Sequence, residues 1–246
     1  MAVMVATTRL ARAARSAAVM GARGLHSVRQ EGAAGTLECR YFFHDDLGRK
    51  MSPWHHIPLV SAAHDESLGH LHQPDSNIFQ FVNEIPRGAR AKMEIAGTEE
   101  FNPIKQDVKK GAPRLYHSAS LVNYGCLPQT WEDPNHVDEN TGHGGDNDPI
   151  DVIAINVNDP LADQLNDLED LAKTELHDAV AQIHRWFRDY KIPDGKPPSE
   201  FAFGGRAMPK EFAVQVIQQT HESWKQLVGD ELASPTKLWT SNTRFM

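Results

Sequence analysis

The 246-residue chain carries only two cysteines, Cys39 and Cys126. That is too few for a disulfide framework, and their separation does not suit a metal-binding pair, so a reducing compartment is the simpler setting. Long apolar runs are also missing. The most hydrophobic stretches are short and broken by Pro, Asn or charge, and nothing approaches the length needed to cross a bilayer. Positive charge is in deficit, with 25 Lys and Arg against 33 Asp and Glu and a net charge of -8. Such a balance argues against general nucleic-acid binding through a basic surface, while leaving the chain well suited to cations. There is no internal repeat and no low-complexity tract. What remains, 40% hydrophobic and 24% charged residues, is the composition of one ordinary globular domain plus ends.

A second absence is local. The first thirty residues contain no Asp or Glu, while Arg9, Arg12, Arg15, Arg23 and Arg29 stand among Ala, Val, Ser and Thr. This is transit-peptide composition. On a helix, Arg12 and Arg15 lie near one face and Val3, Leu10 and Val19 supply scattered apolar surface, a weakly amphipathic pattern suited to import receptors and an anionic membrane. A disordered basic tail is the alternative. No uninterrupted apolar core follows the charged start, which argues against a secretory signal. Residues 1–30 are therefore read as a disordered leader, 31–232 as the folded domain and 233–246 as a tail.

From Tyr41 the chain reads as short strands separated by turns at Asp45 to Gly48 and Ser52 to Pro58. His64, His70 and His72 invite a metal reading, but their spacing suits no recognised site, and solvated loop histidines are the better reading. Phe79 to Ile85 alternates apolar and polar residues as a half-buried strand does. Ala91 to Ile95 predicts another, with Lys92 and Glu94 on one face. The helices come late: Ala179 to Tyr190 and Pro209 to Val228 both carry apolar residues at helical spacing. Pro209 suits a first turn and Gly229 a stop. Ile192 to Pro197 is a turn by its chemistry.

The most informative segment is GDNDPIDV, Gly145 to Val152. Asp146, Asp148 and Asp151 fall within six residues, and like charges held that close cost stability unless cations neutralise them. An extended backbone puts Asp146 and Asp148 on one face, and Pro149 re-aims the chain so that Asp151 converges. Oxygen-only ligands favour hard ions such as magnesium, manganese or calcium. An EF-hand fails on inspection, because counting from Asp146 the required Gly is Asp151 and the required Glu is Val157. An acidic turn that caps a helix or faces solvent is the bland alternative.

Other blocks accompany the cluster: EIPRGARAKMEI (Glu84 to Ile95), Arg114, NYGCLPQTWEDP (Asn123 to Pro134), WFRDYKIPDGKP (Trp186 to Pro197), FAFGG (Phe201 to Gly205) and THESWKQL (Thr220 to Leu227). Together with GDNDPIDV they closely resemble the soluble family I inorganic pyrophosphatases of eukaryotic type, over about Tyr41 to Leu227. With the basic leader, the chain looks like a mitochondrial form, placed in the mitochondrial matrix. The resemblance implies an α+β, mainly β fold, a small OB-like closed β-barrel flanked by two C-terminal helices, and by family analogy a homodimer. It implies magnesium-dependent hydrolysis of inorganic pyrophosphate to two phosphates. Asp146 and Asp151 would be Mg2+ ligands, and Asp148 a carboxylate that contacts metal and helps deprotonate the attacking water. Glu84 and Glu94 would lie on the rim of the metal cluster. Lys92, Arg114, Tyr190 and Lys191 would hold phosphoryl oxygens, and Tyr124 would orient them.

Two departures from the family pattern stand out. An acidic block resembling DEGETDWK, which follows GDNDPIDV in the family and supplies two further metal-binding aspartates and a lysine, is absent. The chain runs from Asp151 and Val152 directly into Ile153 to Pro160, a loss of roughly three dozen residues, more than an ordinary loop trim. Losing strands should leave the barrel incomplete. The stretch between Arg114 and Asn123 is also short, with Ser120 where a site tyrosine is expected. These departures carry the alternative expectation of a catalytically impaired variant that acts as a binding or dimerising partner.

Overall fold

The computed structural model describes residues 26–60, 78–229 and 237–240, together with the backbone of 4–12. His64, His70 and His72 lie outside the described residues. Eleven strands come first: β1 (Met4–Arg12), β2 (Ser27–Glu31), β3 (Arg40–His44), β4 (Lys50–Met51), β5 (Ile78–Ile85), β6 (Met93–Ile95), β7 (Ile104–Gln106), β8 (Val108–Lys109), β9 (Ala112–Pro113), β10 (Tyr124–Cys126) and β11 (Val152–Asn156). Three helices follow, α1 (Leu168–Leu171), α2 (Ala179–Asp189) and α3 (Lys210–Val228). The mainly β character expected from the sequence is present. One four-stranded sheet has the order β10, β5, β1, β11, a second has β2, β3, β7, β6 with β4 on β3, and β8 and β9 form a hairpin. Among the described residues these pairings do not join into one closed barrel.

β5 is the strand that the alternation predicts, but burial falls on Phe79, Val82 and Ile85. Its pairing with β10 shifts register between Tyr124 and Gly125, and such an irregularity re-aims side chains. Gly125 allows that approach, since a Cβ there would sit 2.0 Å from the Val82 carbonyl oxygen. The consequence is local and functional: Glu84 turns to β6, where its Oε1 accepts the Ile95 N–H at 2.8 Å.

α3 ties the core together. Its buried residues Ala213, Ile217, Thr220, Trp224 and Leu227 recur at intervals of three and four, the stripe of a helix that buries one face. Trp224 and Leu227 pack in one apolar cluster with Trp54 and Trp131. Ile217 packs in a second with Phe79, Leu127 and Ile150. Gly229 is the C-cap, the stop expected of it, while Pro209 is the N-cap, one residue ahead of the first turn in which it was expected. The Trp131 N–H also donates to the Thr220 carbonyl at 2.9 Å, fastening the helix to the segment that carries Glu132.

Three boundaries differ from expectation. Met4–Arg12, inside the stretch expected to be a disordered leader, forms a strand that pairs in parallel with both β5 and β11. β2 pairs with β3 from Ser27 onward, so the folded domain starts before residue 31, because the edge of β3 takes a hydrogen-bonding partner there. In the expected tail, the Trp239 N–H donates to Gly97 at 2.8 Å and its ring lies 5.2 Å from Phe101. An aromatic residue with apolar surface to bury docks rather than trails.

Candidate active site

The acidic cluster sits on a loop clasped by backbone hydrogen bonds to the WEDP segment. Gly145 N–H donates to Asp133 O at 3.0 Å, Asn147 N–H to Glu132 O at 3.0 Å, and Glu132 N–H to Asp148 O at 2.9 Å. Gly145 is required by contact, since a Cβ there would lie 2.2 Å from Glu132 backbone atoms. The cluster is not extended as the sequence suggested. Asn147 has φ of 72°, the Asp148 N–H faces Asp146 Oδ1 at 3.3 Å, and the chain bends at 147–148. Asn tolerates the left-handed region, and its Oδ1 accepts the Trp131 indole N–H at 3.0 Å.

This clasp brings Glu132 beside Asp146, a site group that sequence reasoning missed. Glu132 lies in the quoted WEDP block, but a single acid there gave no spacing to exploit; only the fold sets it against Asp146. Burial first, then the charges of Asp146 and Asp151, push the Glu132 carboxyl up to about 9. Burial and Asp146 raise Asp148 to about 6, with Lys92 working against them. Asp151, half-buried, is raised by burial to about 7 although the Tyr124 hydroxyl donates to its Oδ2. Glu84 is raised well above the usual carboxylate range by burial and by Asp151. A cavity of about 390 Å³ opens against Glu132 and Asp146.

The cations lie on the neighbouring strands. Lys92 Nζ pairs with Glu94 and, at 3.1 Å, with Asp107; Arg114 Nη1 meets the same Asp107 oxygen at 2.9 Å. Burial alone would lower the Lys92 ammonium, and Glu94 and Asp107 outweigh it, so it stays charged. Asp107, also absent from the sequence expectation, is what holds the two cations side by side. Backbone register does the rest, with Lys92 N–H donating to Arg114 O at 3.0 Å. At the end of α2, Tyr190 stacks on Trp186 at 5.6 Å and 8°, and Lys191 Nζ stands 5.1 Å over the Tyr190 ring. Lys191 is thereby placed beside the aromatic wall rather than among the carboxylates.

Most residues expected from the sequence therefore meet: Glu84, Lys92, Glu94, Arg114, Tyr124, Asp148 and Asp151 interact directly or through space, with Asp146 and Glu132 adjoining. Among the described residues no three acidic or histidine groups converge on one ligating point. The donor set still suits a hard divalent ion. It is all oxygen, and Asp146, Asp148 and Asp151 form no ion pair among the described residues; a magnesium-like ion takes one or two carboxylates and completes its shell with water and phosphate oxygens.

The inorganic pyrophosphatase family model matches residues 81–154 and 152–225. Soluble inorganic pyrophosphatase 6, chloroplastic, of Arabidopsis thaliana is 42% identical over 236 residues, covering 82% of this chain and 74% of that protein. The inorganic pyrophosphatase of Zygosaccharomyces bailii is 40% identical over 257 residues, covering 89% and 85%. The solved inorganic pyrophosphatase of Schistosoma japonicum superposes with a TM-score of 0.76 at 34% identity, covering 86% of this chain and 84% of the other. With the family model matched across 81–225 and relatives at 40% identity or more covered over most of both chains, the chain belongs to the inorganic pyrophosphatase family.

Proposed function

We propose that this chain hydrolyses inorganic pyrophosphate to two phosphates with Mg2+ as its ion. The observation that carries the reading is the opposition, within one site, of carboxylates that form no ion pair among the described residues and of cations already fixed in place. Asp146, Asp148 and Asp151 would hold the metal, with Glu132, Glu84 and Glu94 at its rim. When bound, it would supply positive charge against the carboxylates and the phosphoryl oxygens. Asp148, raised to about 6, is tuned to accept a proton from the attacking water near neutral pH. Lys92 and Arg114 neutralise phosphoryl oxygens and the leaving phosphate. Tyr124 holds Asp151 through its hydroxyl, and Tyr190 and Lys191 close the substrate side.

The family's closed OB-like barrel supplies the parent architecture, from which this chain lacks a segment after Val152. Supporting that reading, the two family-model matches meet at 152–154, and the Zygosaccharomyces alignment of 257 residues is longer than this chain of 246. β1 lies between β5 and β11, in a slot open to an added strand. The arginine-bearing leader supports import into the mitochondrial matrix, and family analogy supports a homodimer.

Phosphate release from pyrophosphate with magnesium tests the activity. The parent chain should exceed Asp148→Asn by about a hundredfold or more, the range for loss of a general base. Equal rates in the two proteins would overturn the hydrolase reading and leave a binding or dimerising role. For the compartment, a C-terminal fluorescent fusion should follow mitochondria; a diffuse signal would reject the matrix assignment.

A further inference from the structure

Between Arg114 and Asn123 the chain folds in a way that gives Tyr116 and Ser120 different fates. Ser120 is buried and sewn into backbone. Its hydroxyl donates to Val122 O at 2.7 Å, its N–H donates to Ala89 O and its carbonyl accepts from Gly88, both at 2.9 Å. Neither of its donors is left for a ligand. Tyr116 is different. Its N–H donates to Arg90 O at 2.7 Å, in register with the Lys92 N–H on Arg114 O, and Leu115 forms a bridge with Ala91. In extended backbone, residues two apart share a face. Leu115 is 55% exposed and Tyr116 only 5%, so Tyr116 and Arg114 face the site together.

The Tyr116 ring is held on two sides, edge-on to Trp186 at 4.9 Å and to Tyr190 at 5.7 Å. Its hydroxyl has no hydrogen-bond partner among the described residues. The groups within electrostatic reach of it are Lys92, Tyr190, Arg114 and Asp151. Burial pushes the phenol up to about 12, so at neutral pH it keeps its proton and can donate.

We propose that the Tyr116 hydroxyl donates a hydrogen bond to a phosphoryl oxygen held by Lys92 and Arg114, supplying from this position the phenol that Ser120 lacks. The contact rests on the pyrophosphate reading above. It makes Tyr116 a substrate-binding residue specific to the shortened segment of this chain, with its direction set by the Trp186 and Tyr190 rings.

The test is binding of imidodiphosphate, a non-hydrolysable pyrophosphate analogue, to the full chain with magnesium by calorimetry, alongside KM and kcat for pyrophosphate. Tyr116→Phe keeps the ring and should weaken imidodiphosphate and raise KM by about tenfold or more, the range for a hydrogen bond to a charged group, with an unchanged thermal midpoint. Tyr116→Leu should lose as much affinity and also lower the midpoint. Ser120→Ala should bind like the parent. Parent-like affinity in Tyr116→Phe, or a loss confined to Tyr116→Leu, would assign the ring to packing and overturn the contact. A parent chain that neither binds imidodiphosphate nor releases phosphate overturns the hydrolase reading itself, and this contact with it.

Discussion

On the β6 and β7 side of the site, Lys92 and Arg114 share Asp107 at 3.1 and 2.9 Å, whereas on the 145–151 side Glu132, Asp146, Asp148 and Asp151 form no ion pair among the described residues. Both regions are partly buried and highly charged. In the first, burial would raise Asp107, but Lys92 and Arg114 bring it below its ordinary value. In the second, burial and mutual repulsion add, and Asp148, Asp151 and Glu132 reach about 6, 7 and 9. One half is thus electrostatically complete before any ligand arrives. The other is incomplete until positive ions come, and the chain keeps it at a cost in stability.

The largest effect should come from ending that incompleteness. In chelator, the folded state holds protons on Asp148, Asp151 and Glu132 that the unfolded chain has already released above about pH 4. Stability therefore falls as pH rises from about 4 toward 9, with all three groups contributing over the lower part of that window. Denaturant titrations at about pH 5 and about pH 8 should show it. Magnesium at about 100 times its dissociation constant should restore about 2.7 kcal/mol, more visibly at the higher pH. A flat profile in chelator would erase the contrast between the two regions.

A smaller effect is expected from breaking the completed half. Lys92→Ala strands Glu94 and Asp107, and with side chains 20%, 33% and 17% exposed the loss should be about 2 kcal/mol, below the figure for a fully buried pair. Adding Asp107→Ala should return part of it, the sign of coupling in a double-mutant cycle. Magnesium should not rescue Lys92→Ala alone. The smallest effect sharpens the comparison from outside the site: Asp194, exposed and paired with Lys109 and His117, should change to Asn with a thermal midpoint inseparable from the parent, since exposed pairs are screened.

Local pattern was a good guide where one face of an element meets the core. α2 and α3 lie within a residue of the ranges expected from apolar spacing, and β5 begins one residue earlier than expected. The strand expected from Ala91 shortened to Met93–Ile95, because only a single bridge pairs Ala91 with Leu115. Legibility failed where a contact joins distant residues. Glu132 and Asp107 are ordinary acids in sequence, and each acquires its role from a partner many positions away. The cluster's own shape was also misjudged, since Asn147 in the left-handed region replaces an extended chain by a bend.

By itself the sequence determined the family, the acidic GDNDPIDV cluster, the helices with their Pro209 and Gly229 ends, and the likeness of Lys92 and Arg114 to phosphate-holding groups. These rest on local spacing and on residue chemistry, which need no third dimension. Tertiary structure alone decided which charges are compensated and which are not. Compensation depends on through-space distance and burial, so it was the docking of 145–148 on Glu132, and of Lys92 and Arg114 on Asp107, that separated a completed cation pair from a set of carboxylates still in need of one.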